Sequence, residues 1–548
     1  MNEIKTKYSG IILNACLLSC IGIAIGIMLL PLFQNGIIIG DDTPYHVARI
    51  NNLAESFKQG HPFIAIRSGF LDGLGYGTGF FYCDFFIILP ALLRVLGFSL
   101  EVCYKALQAI IILGFSFTSW ISLKKLCHND VATAIGTILL VNSHYFCLNV
   151  YARGTVGESI AMCFMPLFFY GLYNLVSENY SHPIFLIIGI LGSGLSHTIT
   201  TAFCLLTGII VCLFNLKKIL TKDITRKLVL SILIVLSLSA FFWMPFLEQL
   251  EIQHYKFELP WVHPYQECTS LFGSLSNARY SIGFLLSLCV GVVIILSPTH
   301  VRNKILLWIA PAYFLLFLLS VKEFWSILDP IVVSIQFPWR LLSIITILLV
   351  MSVAYGSSFL VKEMGTRQIF ALMFVLMFLD FEMNRDYYKI RIDDKLSINE
   401  EYMSVNAYNT GGGNEWMPLD FDYSDDISKN YHSSEALTES GIYIRGAKSN
   451  LTFTVKLVDN SNYIDVPFLY YKGYTAYYND NSKERLSIAK SDHGTVRVYL
   501  SGNAANQTIT VTYRETFLSK LGRLISILIF IFLLFVACHK RQYRFIKS

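Results

Sequence analysis

Two adjacent carboxylates, Asp41 and Asp42, stand in the run Gly40-Asp41-Asp42-Thr43-Pro44-Tyr45-His46-Val47-Ala48-Arg49, directly after a long apolar block. Acids in such a place can accept a proton, hold a divalent ion or cap a helix N-terminus. Proline suits the first helical position. If a helix starts near Pro44, then Asp42, His46 and Arg49 share a face at spacings of four and three. An N-cap for a helix over 44–57 accounts for one aspartate and leaves the second unexplained. A third acid, Asp84, follows Tyr82-Cys83 and the alternating run Gly73-Leu74-Gly75-Tyr76-Gly77-Thr78-Gly79. Those glycines permit close backbone approach to a ligand. They form no GxGxxG frame and precede no strand–helix unit, which argues against a nucleotide loop. Asp84 heads an apolar segment, so it reads either as a helix cap or as a reactive acid.

Three more positions have chemical potential. Arg153 and Glu158 lie in Tyr151-Ala152-Arg153-Gly154-Thr155-Val156-Gly157-Glu158, between two apolar blocks. They read as an ion pair, or as an arginine whose guanidinium fork meets a phosphate. His197, in Ser196-His197-Thr198-Ile199-Thr200-Thr201, joins two apolar runs and reads as a hydrogen-bonded structural histidine or as a site residue. His263, in His263-Pro264-Tyr265-Gln266-Glu267, has Trp243 and Trp261 nearby in sequence; such aromatics form interface belts and also stack on sugar faces. Arg340 ends Gln336-Phe337-Pro338-Trp339-Arg340, where it either snorkels or contacts an anionic headgroup or pyrophosphate.

The elements that would position these residues are membrane spans. Apolar blocks near 10–33, 103–123, 131–150, 157–176, 183–196, 198–215, 228–247, 281–298, 305–321, 341–361, 367–382 and 521–538 suggest about twelve transmembrane helices. The first block is long and has no A-x-A-like cleavage site, so it reads as a retained anchor. With the N-terminus inside, Lys124-Lys125, Lys217-Lys218 to Arg226-Lys227, Arg302/Lys304, Lys362/Arg367 and the tail from His539 to Lys547 all fall inside too. Counting 80–98 as a span would break that pattern. It carries Asp84, Pro90 and Arg94, so it reads as a juxtamembrane or re-entrant helix on the outer face.

Composition agrees. Of 548 residues, 54% are hydrophobic and 15% charged, against about 25% charged in soluble domains. That excludes disorder, a coiled coil and an ordinary cytosolic enzyme. The net charge of +5 sits in short loops, where it sets topology and implies no nucleic-acid partner. Most of the 12 Cys lie in apolar segments, and no CxxC or Cys/His ligand spacing supports a disulfide framework or zinc site. The chain divides into a multi-span region 1–382 with a large first outer loop 34–102, a polar region 383–520, and a last span with basic tail, 521–548. The polar region holds alternating runs at 451–457, 463–468, 495–500 and 508–513, which predict a small antiparallel sandwich on the outer side.

In this order the motifs resemble a known family. Gly40-Asp41-Asp42 with His46 and Arg49, Phe81-Tyr82-x-Asp84, Arg153-Gly154-x-x-Gly157-Glu158, Phe337-Pro338-Trp339-Arg340 and Tyr470-Tyr471-x-Gly473-Tyr474 resemble polytopic glycosyltransferases of the GT-C fold. More closely they resemble bacterial membrane proteins of the YfhO type, some labelled "6-pyruvoyl-tetrahydropterin synthase-related". No three-His zinc site of the soluble synthase kind accompanies that label. The resemblance implies a bacterial plasma-membrane enzyme with cytoplasmic termini that moves a sugar from a polyprenyl-phosphate donor to a cell-envelope glycan or lipid acceptor on the outer face. It implies a first-loop acid as general base, Asp41 or Asp42, with Asp84 as a second acid. Substrate contacts would fall to His46, Arg49, Tyr82, Arg153, Glu158, His197, His263 and Arg340. A divalent ion such as Mg or Mn, if used, would fall to Asp42 and Asp84. The family often spaces its first-loop acids as Asp-x-Asp or Glu-x-Asp, whereas here they are adjacent. Two other readings stay open: a lipid or polysaccharide transporter or flippase, and a non-catalytic scaffold for envelope assembly.

Overall fold

The computed structural model describes residues 2–259, 261–388, 395–396, 410–412, 414–421, 434–480, 484–501 and 504–547. Most of the expected outer region between 389 and 433 therefore lies outside the described residues. The chain forms two compact units, one of Met1–Pro44, Glu101–Val235 and Val262–Ile398, the other of Tyr45–Leu100, Leu236–Trp261 and Asn399–Ser548.

Every apolar block named above is helical. Among the described residues, seven helices are long and apolar enough to cross a membrane: Ile12–Phe33, Leu100–Cys127, Asp130–Arg153, Val156–Ser177, Thr299–Leu318, Pro338–Glu363 and Phe517–His539. An eighth arises if Lys222–Leu238 and Ala240–Ile252 count as one broken span. Pro183–Gly194, Thr198–Phe214 and Phe284–Leu296 are apolar but shorter. The first two are separated at Leu195–His197, where His197 caps the second helix. Within the first unit, Leu342–Leu360 is buried along most of its length and packs against Asp130–Val141, Phe284–Leu296 and Thr299–Leu318. Val156–Ser177 packs along Pro183–Gly194. A two-residue strand β1 (Ile37–Ile38) pairs antiparallel with β2 (Lys395–Leu396), anchoring the backbone just ahead of Gly40.

In the second unit, residues 80–98 contain only short helical pieces, the longest being Ile88–Val95. Eight residues cannot span a hydrocarbon core that needs about 20. The helix is amphipathic, with Ile88, Leu89 and Leu92 exposed and Pro90 and Ala91 buried.

The four alternating runs are strands, accompanied by six others. They are β3 (Glu435–Thr438), β4 (Tyr443–Arg445), β5 (Ala447–Ser449), β6 (Thr452–Lys456), β7 (Tyr463–Leu469), β8 (Tyr474–Tyr478), β9 (Arg485–Leu486), β10 (Ile488–Lys490), β11 (Thr495–Tyr499) and β12 (Thr508–Tyr513). Two five-stranded sheets result, ordered β10-β11-β7-β3-β4 and β5-β6-β12-β8-β9, and each pairing is antiparallel. Period-two alternation explains the register. Val511 opposes Phe453 and Ile509 opposes Val455, all buried, while Thr512–Thr452 and Thr510–Thr454 are hydroxyl pairs at 2.8 and 2.9 Å on the other face. The core of this unit also takes in Phe70, Tyr76, Phe80 and Phe81 of the first loop. A Cβ on Gly77 would lie 2.4 Å from a ring carbon of Tyr471. The close approach that the glycine run permits is therefore used by a protein ring at this position.

One ion pair is built into the first sheet. Arg497 of β11 donates two bonds, at 2.8 and 2.9 Å, to Asp465 directly opposite on β7, and stacks 4.0 Å from the Tyr463 ring centroid. Asp465 is 2% exposed. Removing one partner strands a buried charge at a cost of about 3–5 kcal/mol. Arg497→Ala should therefore lower the unfolding free energy of the β-rich unit by about that amount, read by denaturant titration of the purified protein. A double variant Arg497→Leu/Asp465→Leu should recover most of the loss.

Candidate functional site

The site is assembled from four segments of the first unit, 40–43, 145–158, 197–200 and 335–340. The turn Gly40–Thr43 lies directly on the turn at 152–154: the Asp41 N–H donates to the Ala152 carbonyl at 3.4 Å, and the Asp42 N–H to the Arg153 carbonyl at 2.7 Å. Only glycine fits at position 40, because a Cβ there would lie 2.5 Å from the Arg153 carbonyl carbon. Thr43 closes the turn, its hydroxyl accepting the Gly40 N–H at 3.0 Å and lying 3.3 Å from the Tyr104 hydroxyl.

Arg153 ends a six-residue π-type turn, Leu148–Arg153, with Gly154 following in the left-handed region. Such turns widen a helix and often mark functional positions. The guanidinium is buried and held on several sides. Its Nη1 donates to Glu158 Oε2 at 2.7 Å and to Asn149 Oδ1 at 2.6 Å, and its carbon sits 4.3 Å from the Trp339 ring centroid. Tyr145 donates its hydroxyl to the other Glu158 oxygen at 2.5 Å. Trp339 in turn stacks on Tyr280 at 4.2 Å, almost parallel. Between them these contacts leave Arg153 a single orientation.

Arg340, from the 3-10 turn Pro338–Leu341, is half-buried and donates to the Ile335 carbonyl at 2.9 Å and to Gln336 Oε1 at 3.2 Å. His197 caps Thr198–Phe214, its Nδ1 accepting the Thr200 N–H at 3.3 Å, and it lies within electrostatic reach of Arg340, Glu158 and Arg153. Asp42 is half-buried, with Arg153 and Arg340 as its cationic neighbours. Burial pushes its carboxyl above the usual carboxylate range; Arg153 and Arg340 pull it back only in part. Asp41 is exposed and pairs with Arg279 at 2.7 Å.

The structure thus gathers Asp42, Arg153, Glu158, His197 and Arg340, with Asp41 at the margin. It does not bring His263 into that set: His263 Nδ1 lies 2.7 Å from Asp329 Oδ2. The sequence reading missed Tyr145, Asn149 and Arg279. Asn149 was visible as a polar residue four before Arg153; nothing local marks the other two.

The remaining first-loop residues form a second polar centre, in the other unit. Asp84 receives Arg49 on Oδ1 at 2.7 Å and Arg67 on Oδ2 at 2.5 Å. Arg49 also donates to the carbonyls of Tyr82 and Cys83, stacks 4.1 Å from the Tyr82 ring centroid and lies 3.5 Å from His46 Nδ1. Asp84 stands at a helix start but makes no side-chain cap bond there. Burial alone would raise its carboxyl; Arg67 and Arg49 overcome that and hold it below the ordinary range. Among the described residues, no group of three or more His, Cys, Asp or Glu side chains gathers in metal-binding proximity.

No family model matches the chain. An uncharacterized protein of Lactococcus lactis subsp. cremoris (strain MG1363) is 27% identical over 233 residues, 40% of this chain and 38% of that protein, so the chain spans well under half of this relative's length. Among solved structures, arabinofuranosyltransferase AftD from Mycobacteria superposes with a TM-score of 0.46 at 15% identity, over 68% of this chain and 26% of that one. A mutant of AftD gives 0.42 at 12% identity, over 68% and 27%. Both scores are below 0.5, and neither assigns an activity to this chain.

Two tests follow from the geometry. Gly40→Ala should force the 40–43 turn off the 152–154 backbone and lower the melting temperature, whereas Gly114→Ala, at a helical position with open space around it, should cost far less. The two aspartates should also tilt the pH profile of stability in opposite senses. Asp84, lowered on folding, contributes stability that is full above its unfolded value of about 3.9 and lost as pH falls through the folded value. Asp42, raised on folding, contributes stability that is full below about 3.9 and lost as pH rises through the folded value. Melting curves of wild type, Asp42→Asn and Asp84→Asn across the acid range check this. Parallel profiles for Asp42→Asn and wild type would refute the assignment for Asp42.

Proposed function

We propose that this chain is a membrane glycosyltransferase that moves a sugar from a polyprenyl-phosphate donor to a cell-envelope acceptor on the outer face, with inversion and with Asp42 as general base. The observation that carries the proposal is the meeting of one half-buried carboxylate with two arginines drawn from three distant parts of the sequence. A carboxylate raised by partial burial is a better base than one in water. Between Asp42 and Asp84 the choice falls on Asp42, since both oxygens of Asp84 are taken by arginines.

In this reading the acceptor hydroxyl gives its proton to Asp42 as its oxygen bonds to the anomeric carbon. The bond from that carbon to the phosphate oxygen breaks on the opposite face, and the electron pair leaves with the lipid phosphate. A single displacement inverts the centre. The departing phosphate gains negative charge, which Arg153 and Arg340 offset, with His197 beside them as a further donor. Glu158 and Tyr145 hold Arg153 in place before substrate arrives, so little reorganisation is needed at the moment of reaction. Asp41 and Arg279 mark the rim on the acceptor side. The lipid tail fits a chain with seven membrane-length helices among its described residues.

The test offers the purified protein polyprenyl-phosphate sugars with envelope glycans and lipids as acceptors. Asp42→Asn should reduce transfer by about 10²–10⁴-fold, the usual worth of a general base, while Asp41→Asn and Asp84→Asn retain far more activity at matched folded protein. Arg153→Lys should lower kcat, because an ammonium cannot reproduce the fork. Movement of the lipid-linked sugar across vesicles without transfer would replace this reading with a transporter. Neither activity would leave the scaffold.

A further inference from the structure

The rim of the Asp42 site holds an aromatic residue to which the proposed transfer gives no role. Tyr280 lies in the turn between the helices Leu271–Leu275 and Phe284–Leu296. That turn is tied down at several points. The Ile282 N–H donates to the Ser274 carbonyl at 3.0 Å, the Phe284 N–H donates to Asn277 Oδ1 at 3.0 Å, and the Ala278 carbonyl lies 2.9 Å from His144 Nε2. Arg279, one residue earlier, pairs with Asp41. A side chain on such a loop is in place before any ligand arrives.

One face of the Tyr280 ring is packed. It lies nearly parallel to the Trp339 indole, with 4.2 Å between centroids and 10° between planes. Trp339 is itself buried and also meets the Arg153 guanidinium at 4.3 Å and the Phe337 ring at 4.8 Å, so it is a firm backing. Tyr280 is only half-buried, and its hydroxyl has no hydrogen-bond partner among the described residues. The Arg279 guanidinium stands 5.5 Å from its centroid. The charged groups that act on Tyr280 are Arg279, Arg153, Asp41 and Glu267. Two of them, Arg153 and Asp41, act on Asp42 as well. The ring therefore borders the same site, between the arginine assigned to the leaving phosphate and the exposed ion pair on the acceptor side.

We infer that Tyr280 is the platform on which the transferred sugar lies, with the ring against the C–H face of the sugar and the tyrosine hydroxyl and the Asp41–Arg279 pair beside the sugar's own hydroxyls. The inference rests on the transferase reading and names a contact for the group that is moved. The surroundings select a sugar. A half-exposed aromatic ring backed by a second ring, with a free hydroxyl and an ion pair at its edge, suits a ligand that is apolar on its faces and polar around its rim. An acyl chain there would lie against two charged side chains and satisfy neither. A phosphate would meet the like charge of Asp41. Position agrees with chemistry, since the group in transit must lie between the phosphate it leaves and the acceptor it joins. Tyr280 binds and orients; it takes no proton and forms no covalent bond.

The experiment measures, by calorimetry on purified full-length protein, the binding of bare polyprenyl phosphate and of the same lipid carrying each of a panel of hexoses and pentoses. Wild type should bind both forms, and at least one sugar should tighten binding. Tyr280→Ala and Tyr280→Leu should weaken that sugar-bearing lipid about threefold to tenfold, the usual worth of one ring contact, and leave the bare lipid unchanged. Tyr280→Phe, which keeps the ring, should retain most of the sugar's advantage; a loss as large as in Tyr280→Leu would overturn the stacking. If Tyr280→Ala does not fold, Tyr280→Leu decides. A merely structural tyrosine would weaken both lipids alike, and that result overturns the inference. So does a sugar advantage that survives in both variants, or the absence of one in wild type. Wild type that binds neither lipid would instead overturn the transferase reading, and this inference with it.

Discussion

A charged guanidinium buried at the end of an apolar helix is the constraint on which the helical unit's polar architecture depends. Arg153 cannot sit unpaired at low dielectric, and the surrounding sequence supplies what it needs at once: Glu158 for its charge, Asn149 for a hydrogen bond, the Trp339 ring for its face. Each of those partners is itself held, Glu158 by Tyr145 and Trp339 by Tyr280. The backbone of the same arginine accepts the Asp42 N–H. A buried cation therefore sets where the first-loop carboxylate lies, and burial of that carboxylate sets how readily it takes a proton.

The contrast between Asp42 and Asp84 shows how environment divides one residue type into two roles. Both lie between the helices Ile12–Phe33 and Leu100–Cys127, and both have two arginines for neighbours. Asp84 is bonded directly by Arg49 and Arg67, one on each oxygen, and those pairs outweigh its burial. Asp42 feels Arg153 and Arg340 more weakly, because Arg153 is committed to Glu158 and Arg340 to the turn at 335–336. Burial wins there. The first carboxylate is an internal counter-ion, and the second keeps basicity.

Much of this architecture was legible from the residues in order. Helix positions followed from apolar blocks, and β6, β7, β11 and β12 from alternation, since both patterns are local consequences of backbone period. The pairing of Arg153 with Glu158 was one of two readings that spacing allowed. Other features were not legible. Nothing near Arg279 signals its bond to Asp41, and the Gly77 position reads as ligand-facing until Tyr471 is found against it. His263 had the composition of a site residue, but its ring nitrogen meets Asp329.

By itself the sequence determined the class of molecule: apolar helices of membrane length, a β-rich region near the C-terminus, and a set of acids, arginines and histidines beside the apolar blocks with chemical potential. Those are properties of composition and of periods a few residues long, which the backbone enforces locally. Tertiary structure decided which of those groups meet, which carboxylate is neutralised and which is left basic. Proximity across a hundred or more residues, and the loss of water around a charge, depend on how the whole chain packs and leave no trace in local spacing.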